Sequence, residues 1–115
     1  MILSTLKFNS VTSTNDIAIK LIKKKFLKPT IIIAKTQKKG RGTMGKRWIS
    51  KKGNIFVSIY FHYKSEKIKI EKLTILNSHI IKNIIKKYSK YKVSIKHPND
   101  IFIKGKKLCG TLQEV

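Results

Sequence analysis

Residues 40–48, GRGTMGKRW, combine the residue types that hold an anion most closely. The segment contains three glycines, the single tryptophan Trp48 and the only two arginines of the chain, Arg41 and Arg47; every other basic side chain is a lysine. Arginine presents a planar fork of N–H donors that can bind a carboxylate or a phosphate through two hydrogen bonds, whereas lysine is a mobile point charge. Glycine lets backbone N–H groups approach an anion and allows turns with positive φ. The segment is therefore predicted to bind an anion, and a mobile surface hairpin is the alternative of equal weight.

Composition limits the classes of protein to which the chain can belong. Its 115 residues suffice for one domain, and a hydrophobic content of 41% excludes a disordered polycation. The net charge of +22 suggests nucleic acid or an anionic membrane as a partner, but the lysines are scattered and accompany many Ile and Asn residues, which indicates a bias of the whole sequence. A basic nucleic-acid-binding module, with bases stacked on tyrosines, stays open as an alternative. Its stacking residues would be Tyr60, Tyr63, Tyr88 and Tyr91.

Cysteine usage and hydropathy predict a cytoplasmic protein. Cys109 is the single cysteine, which excludes an internal disulfide and fits a reducing compartment. No apolar run approaches the roughly 20 residues that span a bilayer. The first residues lack the long apolar segment of a signal peptide.

The elements that would position the arginine loop can be predicted from hydrophobic periodicity. Residues 3–8 are apolar enough for a strand, and STND at 13–16 has the residue types that begin a helix. The β-branched run TIIIA at 30–34 predicts a buried strand that leads into the loop, and residues 55–63 predict a second strand, antiparallel to the first. The apolar face of the first helix is formed by residues spaced i, i+3, i+4 and i+8, namely Ala18, Leu21, Ile22 and Phe26.

The second half of the chain predicts one helix and three strands. Apolar residues at helical spacing run through residues 73–88, and a strand follows at 91–96. Residues 101–103 and 108 onward flank KGKK at 104–107 as a hairpin, and residues 108–115 still resemble a strand where the chain ends. The order β-α-β-β-α-β-β-β predicts an α+β fold with a mixed, mostly antiparallel sheet and two amphipathic helices.

Several short blocks, taken in order, resemble the motifs of biotin protein ligases, also called biotin–[acetyl-CoA-carboxylase] ligases. STN at 13–15 matches the family's S-T-N, and Gln37 with residues 40–48 resembles Q-x-x-G-R-G-R-x-G-R-x-W. SKKGNI at 50–55 resembles S-P-x-G-N-L, and KHPND at 96–100 resembles K-W-P-N-D. KLCGTLQE at 107–114 resembles K-x-x-G-I-L-x-E. The resemblance implies a biotin/lipoate ligase-like, class II synthetase-like fold over residues 1–115.

The resemblance also implies a two-step reaction. The carboxylate of biotin attacks the α-phosphate of ATP to give biotinyl-5′-AMP and pyrophosphate, and a lysine amine of a biotin carboxyl carrier protein then displaces AMP. ATP and Mg²⁺ are the implied cofactors, and biotin is the substrate. A lipoate ligase-like adenylating enzyme and an inactive fragment remain as alternatives.

Site residues are carried over from the same motifs. Lys107 and Arg41 are implied as catalytic through their charge, and Asp100 as an organiser of Mg²⁺ with ATP. The implied biotin-binding residues are Ser13, Thr14, Asn15, Gln37, Gly40, Arg41, Gly42, Thr43, Lys107, Gly110 and Leu112. The implied ATP-binding residues are Lys46, Arg47, Trp48, Asn99 and Asp100.

The chain departs from the family pattern at several points. Thr43 replaces a loop arginine that helps to retain the adenylate, and His97 replaces the tryptophan of K-W-P-N-D. The later G-x-G-x-N segment, the remaining strands and the small C-terminal domain are not found, so we expect a partial catalytic domain. The N-terminal helix-turn-helix of repressor-type members is also not found, so specific DNA binding is not expected. A homodimer stays open.

Overall fold

The computed structural model describes residues 2–115, which group into two compact units. The first unit is Met1–Lys64 and the second is Ser65–Val115. The boundary lies in the charged connection that precedes the second helix. Each unit has its own three-stranded sheet and one long helix.

The first unit is built around its central strand. It contains β1 (Ser4–Val11), α1 (Thr14–Lys23), β2 (Thr30–Gln37) and β3 (Phe56–Tyr60). The strand order is β1-β2-β3, with β1 parallel to β2 and β3 antiparallel to β2. Because β2 has a neighbour on both sides, the segment that follows its last residue leaves the centre of the sheet.

The core of the first unit lies between its sheet and α1, which contacts β2 and β3. Ile32, Ala34 and Phe56 are at least 93% buried, and Ala18 of α1 is buried as well. Alternate residues of a strand point to opposite faces of a sheet. In accordance with this rule, Ile59, which is three residues on from Phe56, is 53% exposed on the other face. One face of the sheet therefore forms the core and also carries the polar residues next to α1.

The second unit contains α2 and an antiparallel sheet. Its elements are α2 (Ile70–Lys86), β4 (Val93–Lys96), β5 (Asp100–Ile103) and β6 (Lys106–Gly110), and the strand order is β4-β5-β6. α2 packs on β4 and β5, with Val93 and Ile101 buried in the core. The hairpin between β5 and β6 turns at Lys104 and Gly105, whose φ values of 52° and 71° are those of a tight type I′ turn.

The structure confirms the predicted α+β class, both amphipathic helices and the mixed, mostly antiparallel pairing. The strands form two three-stranded sheets, one mixed and one antiparallel, where the sequence suggested one. Several boundaries were wrong, and β1, for example, runs to Val11 while β3 ends at Tyr60. α1 ends at Lys23, because Lys25 adopts a positive φ of 64°, so Phe26 lies outside the helix. The last strand ends at Gly110 and does not continue through residues 111–115.

Within residues 2–115, no helix is long and apolar enough to cross a membrane.

Candidate functional site

The start of α1 collects the first group of sequence-predicted site residues. Ser13 is the N-cap, and its Oγ accepts a hydrogen bond of 3.0 Å from the backbone N–H of Asp16. The same oxygen accepts a second bond of 3.0 Å from Arg41 Nη1. Ser13 thus has the capping role predicted from its residue type and also contacts the arginine loop.

Gln37, the last residue of β2, is tied to both α1 and the segment after the loop. Its Oε1 accepts from the backbone N–H of Thr14 at 2.8 Å and lies 3.3 Å from Thr14 Oγ1. Its Nε2 donates to Ser50 Oγ at 2.9 Å. Ser50 in turn donates to the carbonyl of Trp48 at 3.2 Å. The amide of Gln37 is therefore the link between the S-T-N segment and the end of the glycine loop.

Ser58 of β3 also belongs to this polar cluster. It is 8% exposed, and its Oγ lies 2.7 Å from Thr14 Oγ1 and donates to Asn15 Oδ1. Since an amide oxygen can only accept, the single proton of Ser58 goes to Asn15, and the Thr14 hydroxyl proton is shared between Ser58 Oγ and Gln37 Oε1. This assignment fixes the direction of the Ser58 hydroxyl and of the Asn15 amide.

Residues 40–48 form a small hairpin. The backbone N–H of Trp48 donates to the carbonyl of Gly40 at 2.8 Å, and the N–H of Gly42 donates to the carbonyl of Lys46 at 2.6 Å. Met44 (φ 57°, ψ 32°) and Gly45 (φ 71°) occupy the two central positions of a type I′ turn at its tip. The glycine loop is thus an ordered hairpin with its own hydrogen bonds.

Position 40 needs glycine because the neighbouring atoms leave no room for a side chain, whereas position 45 favours glycine because its φ is positive. A Cβ at position 40 would lie 2.5 Å from Ser50 Oγ, 2.7 Å from the Trp48 carbonyl oxygen and 2.8 Å from Gln37 Nε2. Any side chain here would push apart the polar cluster that joins β2, the hairpin and the segment after it.

Arg41 connects the hairpin to α1 and lines a basic cavity. Its Nη1 lies 2.5 Å from Asp16 Oδ1 as well as 3.0 Å from Ser13 Oγ. A cavity of about 450 Å³ lies at the hairpin, and four of its six lining residues are cationic. The lining consists of Lys38, Lys39, Gly40, Arg41, Gly45 and Arg47. This concave surface has the positive charge to receive an anionic group.

Arg41 affects the pKa of the Asp16 carboxyl group. Partial burial acts to raise the pKa of Asp16, but the hydrogen bond and the charge of Arg41, helped by Thr12 and Ser13, lower the pKa overall. Asp16 is therefore ionised near neutral pH and forms a charge-assisted pair with Arg41.

The second unit brings together the sequence-predicted residues of its own half. Asp100 begins β5, and its Oδ1 lies 2.9 Å from Lys107 Nζ on β6. Asn99 is 9% exposed, and its side-chain Nδ2 donates to the backbone carbonyl of Thr111 at 2.8 Å. The backbone carbonyl of Asn99 accepts a hydrogen bond of 3.1 Å from the backbone N–H of Thr111. Gly110 pairs with Asp100 in the sheet, and Leu112 follows half-buried. Lys107 is thus a partnered lysine, and Asn99 anchors the segment after β6.

The donor set around Asp100 does not amount to a metal site by itself. Its carboxylate is paired with Lys107, and residues 2–115 contain no group of three or more His, Cys, Asp or Glu side chains placed to share an ion. Mg²⁺ is commonly held by one or two carboxylates together with substrate phosphates. The assignment of Asp100 to Mg²⁺ therefore stays a prediction.

Sequence reasoning missed several residues of the polar cluster and of the cavity. The missed residues are Asp16 as an arginine partner, Lys38, Lys39, Ser50 and Ser58. Lys38 and Lys39 directly precede Gly40, so their position beside the arginine loop was the one available signal. The sequence pattern placed Ser58 on the inward-facing side of a strand. That pattern does not identify the residues that Ser58 contacts.

Comparisons with known proteins agree on one family. The family model described as the biotin/lipoate A/B protein ligase family matches residues 7–115. The bifunctional ligase/repressor BirA of Bacillus spizizenii is 33% identical over 106 residues, which cover 91% of this chain and 33% of the relative. BirA of Escherichia coli is 30% identical over 84 residues, which cover 72% of this chain and 26% of the relative.

Solved structures give the same result. A biotin protein ligase from Leishmania major in complex with biotinyl-5-AMP has a TM-score of 0.83 at 26% identity and covers 95% of this chain and 51% of that one. A biotin acetyl coenzyme A carboxylase synthetase from Helicobacter pylori with bound biotinylated ATP has a TM-score of 0.90 at 24% identity, which shows a shared fold, and covers 99% and 56%. The chain thus spans between a quarter and a third of the length of these curated relatives and about half of these solved chains.

Proposed function

Because the chain belongs to the biotin/lipoate A/B protein ligase family, we propose that it takes part in the ATP-dependent activation of biotin and its transfer to a protein lysine. Residues 1–115 would correspond to part of the catalytic domain. The observation that carries the proposal is the hairpin of residues 40–48, which is joined through Arg41 to the S-T-N segment and lines a basic cavity. Similar solved structures are complexes with biotinyl-5-AMP or with biotin and ATP, which supports the same chemistry.

The first step needs charge stabilisation more than covalent catalysis. The carboxylate of biotin attacks the α-phosphate of ATP, forming an acyl–phosphate bond and releasing pyrophosphate. Negative charge accumulates on both reactants, so fixed cations and backbone N–H donors lower the barrier. We assign Gly40, Arg41 and Gly42 to the carboxylate and the adenylate phosphate, and Lys46, Arg47 and Trp48 to ATP.

Recognition of the biotin head group is assigned to Ser13, Thr14, Asn15 and Gln37. The ureido ring of biotin offers N–H donors beside a carbonyl acceptor, and short polar side chains can match both. The hydrogen bonds among these residues and Ser58 support this assignment, because they hold the polar atoms in one orientation.

Residues of the second unit are assigned to the reacting groups and the nucleotide. Lys107 would place its ammonium against the carboxylate and the α-phosphate, with Gly110 and Leu112 presenting backbone to biotin. Asn99 and Asp100 are assigned to ATP, and Mg²⁺ would supply shielding of the phosphates when it is bound. The ion pair with Asp100 supports the role of Lys107, since it holds the ammonium of this exposed lysine at a defined position.

The second step would deliver biotin to a carrier protein. The amine of a carrier lysine attacks the acyl carbon of biotinyl-5′-AMP, an amide bond forms, and AMP leaves. The proposed partner is a biotin carboxyl carrier protein of a biotin-dependent carboxylase, and the proposed location is the cytoplasm.

Biotin-dependent exchange of labelled pyrophosphate into ATP tests the first step. The chain is expected to show exchange that requires biotin, and Arg41→Ala and Lys107→Ala are expected to lower it at least tenfold, about 1.4 kcal/mol. Lys106→Ala, an exposed neighbour of Lys107 on the same strand, serves as the matched control and is expected to retain exchange. A folded chain without exchange, or loss of exchange in the Lys106 variant alone, would contradict the proposal.

A lipoate ligase-like enzyme is the second candidate, because the matching family model includes lipoate ligases. The two substrates share a carboxylate on an alkyl chain and differ in the ring. Competition between labelled biotin and lipoate for the purified chain separates them. Biotin is expected to bind more tightly, and tighter binding of lipoate would transfer the assignment to the second candidate.

A further inference from the structure

One nitrogen of Arg41 is held by two oxygens of the first turn of α1. Nη1 lies 2.5 Å from Asp16 Oδ1 and 3.0 Å from Ser13 Oγ. The Ser13 oxygen is itself restrained, because Ser13 is 2% exposed and its Oγ also accepts a hydrogen bond from the backbone N–H of Asp16. The guanidinium is therefore attached to the rigid end of a helix, although Arg41 itself lies in a hairpin.

The backbone of the hairpin does not account for this placement. The bonds between Gly40 and Trp48 and between Gly42 and Lys46 fix the main chain on either side of Arg41. They leave the rotatable bonds of the side chain unrestrained, and an arginine side chain carries about 2 kcal/mol of rotamer entropy. A partner that already holds the side chain reduces the entropy that is lost when a ligand binds.

The identity of the partner is unexpected in a cation-rich unit. Asp16 is the only acidic residue among residues 1–64, where lysines are numerous. A carboxylate beside an anion-binding cavity repels the ligand and weakens its binding. Yet this carboxylate contacts Arg41, one of the residues that line the cavity.

We propose that Asp16 is a positioning residue for Arg41. Its carboxylate holds Nη1 at the end of α1, and because the guanidinium is planar and rigid this contact sets the orientation of the whole group toward the ligand. The inference rests on the proposed function, in which Arg41 binds the carboxylate of biotin and the phosphate of the adenylate. It identifies Asp16 as the residue that holds the guanidinium of Arg41 in the binding orientation before the ligand binds.

The test compares binding of biotin to the 115-residue chain and its variants by isothermal titration calorimetry. Asp16→Ala is expected to raise the Kd about tenfold, and Asp16→Asn, which keeps an oxygen acceptor without the charge, by a smaller factor. Glu71→Ala is the matched control, because Glu71 lies in the first turn of α2 and loses the same interaction with a helix dipole. The Kd of the Glu71 variant is expected to stay unchanged.

A double-mutant cycle separates positioning from a general effect on folding. In an Arg41→Ala background, Asp16→Ala is expected to cause no further loss of affinity, because the residue through which it acts is gone. Equal losses in both backgrounds would overturn the inference. If Asp16→Ala does not fold, as judged by thermal unfolding, the same cycle is run with the isosteric Asp16→Asn.

The outcomes for the inference and for the proposed function differ. If the unaltered chain binds biotin and Asp16→Ala binds it equally well or more tightly, Asp16 acts at most as a competitor for Arg41 and the inference alone falls. If the unaltered chain does not bind biotin, the proposed function fails and the inference fails with it.

Discussion

At the scale of the residue, the site depends on a few polar atoms that serve two partners each. Ser13 Oγ caps α1 and holds Arg41, and Gln37 joins Thr14 to Ser50. Sequence reasoning predicted the cap from its residue type and Gln37 from the family motif. It could not predict Ser58, because a contact between residues 44 positions apart leaves no local pattern.

Close packing at Gly40 gives the first prediction. Gly40→Ala is expected to lower the free energy of unfolding of the first unit by about 1–3 kcal/mol, since its Cβ would overlap the Ser50 hydroxyl and the Trp48 carbonyl. Urea unfolding followed by Trp48 fluorescence reports on this unit. Gly42→Ala is the matched control, because its Cβ would meet nothing closer than 3.8 Å. Equal destabilisation by the two changes would contradict the role given to Gly40.

The lowered pKa of Asp16 gives the second prediction. A carboxylate with a lowered pKa in the folded state stabilises it above the unfolded pKa, about 3.9, and the contribution is lost as the pH falls through the folded pKa. Asp16→Asn is therefore expected to have a lower Tm than the unaltered chain near neutral pH. The difference in Tm is expected to shrink as the pH falls below about 4. A difference that does not depend on pH would show that the ion pair with Arg41 does not stabilise the fold.

At the scale of the element, hydrophobic periodicity was sufficient to find both helices and all six strands. The pattern did not reveal that β1 and β2 are parallel, because pairing direction depends on the path of α1 between them. The end of the last strand was also missed. Thr111 is drawn to Asn99 by two hydrogen bonds, a contact that overrides the strand-like character of residues 111–115.

The tip of the glycine hairpin gives the third prediction. Met44 is 97% exposed and adopts a left-handed conformation that costs a residue with a Cβ about 1–2 kcal/mol. Asparagine is favoured at this position of a type I′ turn before glycine. Met44→Asn is therefore expected to raise the free energy of unfolding of the first unit by about 0.5–1 kcal/mol in urea unfolding. Met44→Ala, which keeps the unfavourable φ, is the control, and an equal gain in both variants would contradict the turn assignment.

At the scale of the whole molecule, charge and composition were weak guides to function. The net charge of +22 suggested nucleic acid, yet the side chains that distinguish the chain are two arginines and five acids. Two of the five acids, Asp16 and Asp100, pair with Arg41 and Lys107, both sequence-predicted site residues. One tyrosine of the stacking alternative, Tyr91, already has its ring covered by Lys104 Nζ at 3.6 Å from the ring centroid. Family membership, by contrast, was predicted from short sequence blocks, and relatives that are 30–33% identical to the chain confirm it.

We propose that this chain activates biotin through an adenylate. Mass spectrometry of a reaction that contains the purified chain, biotin, ATP and Mg²⁺ tests it most directly. The account predicts biotinyl-5′-AMP that requires both biotin and ATP and that falls at least tenfold in Arg41→Ala. A folded chain that binds biotin and ATP but yields no adenylate, or that yields the same amount in Arg41→Ala, would contradict it.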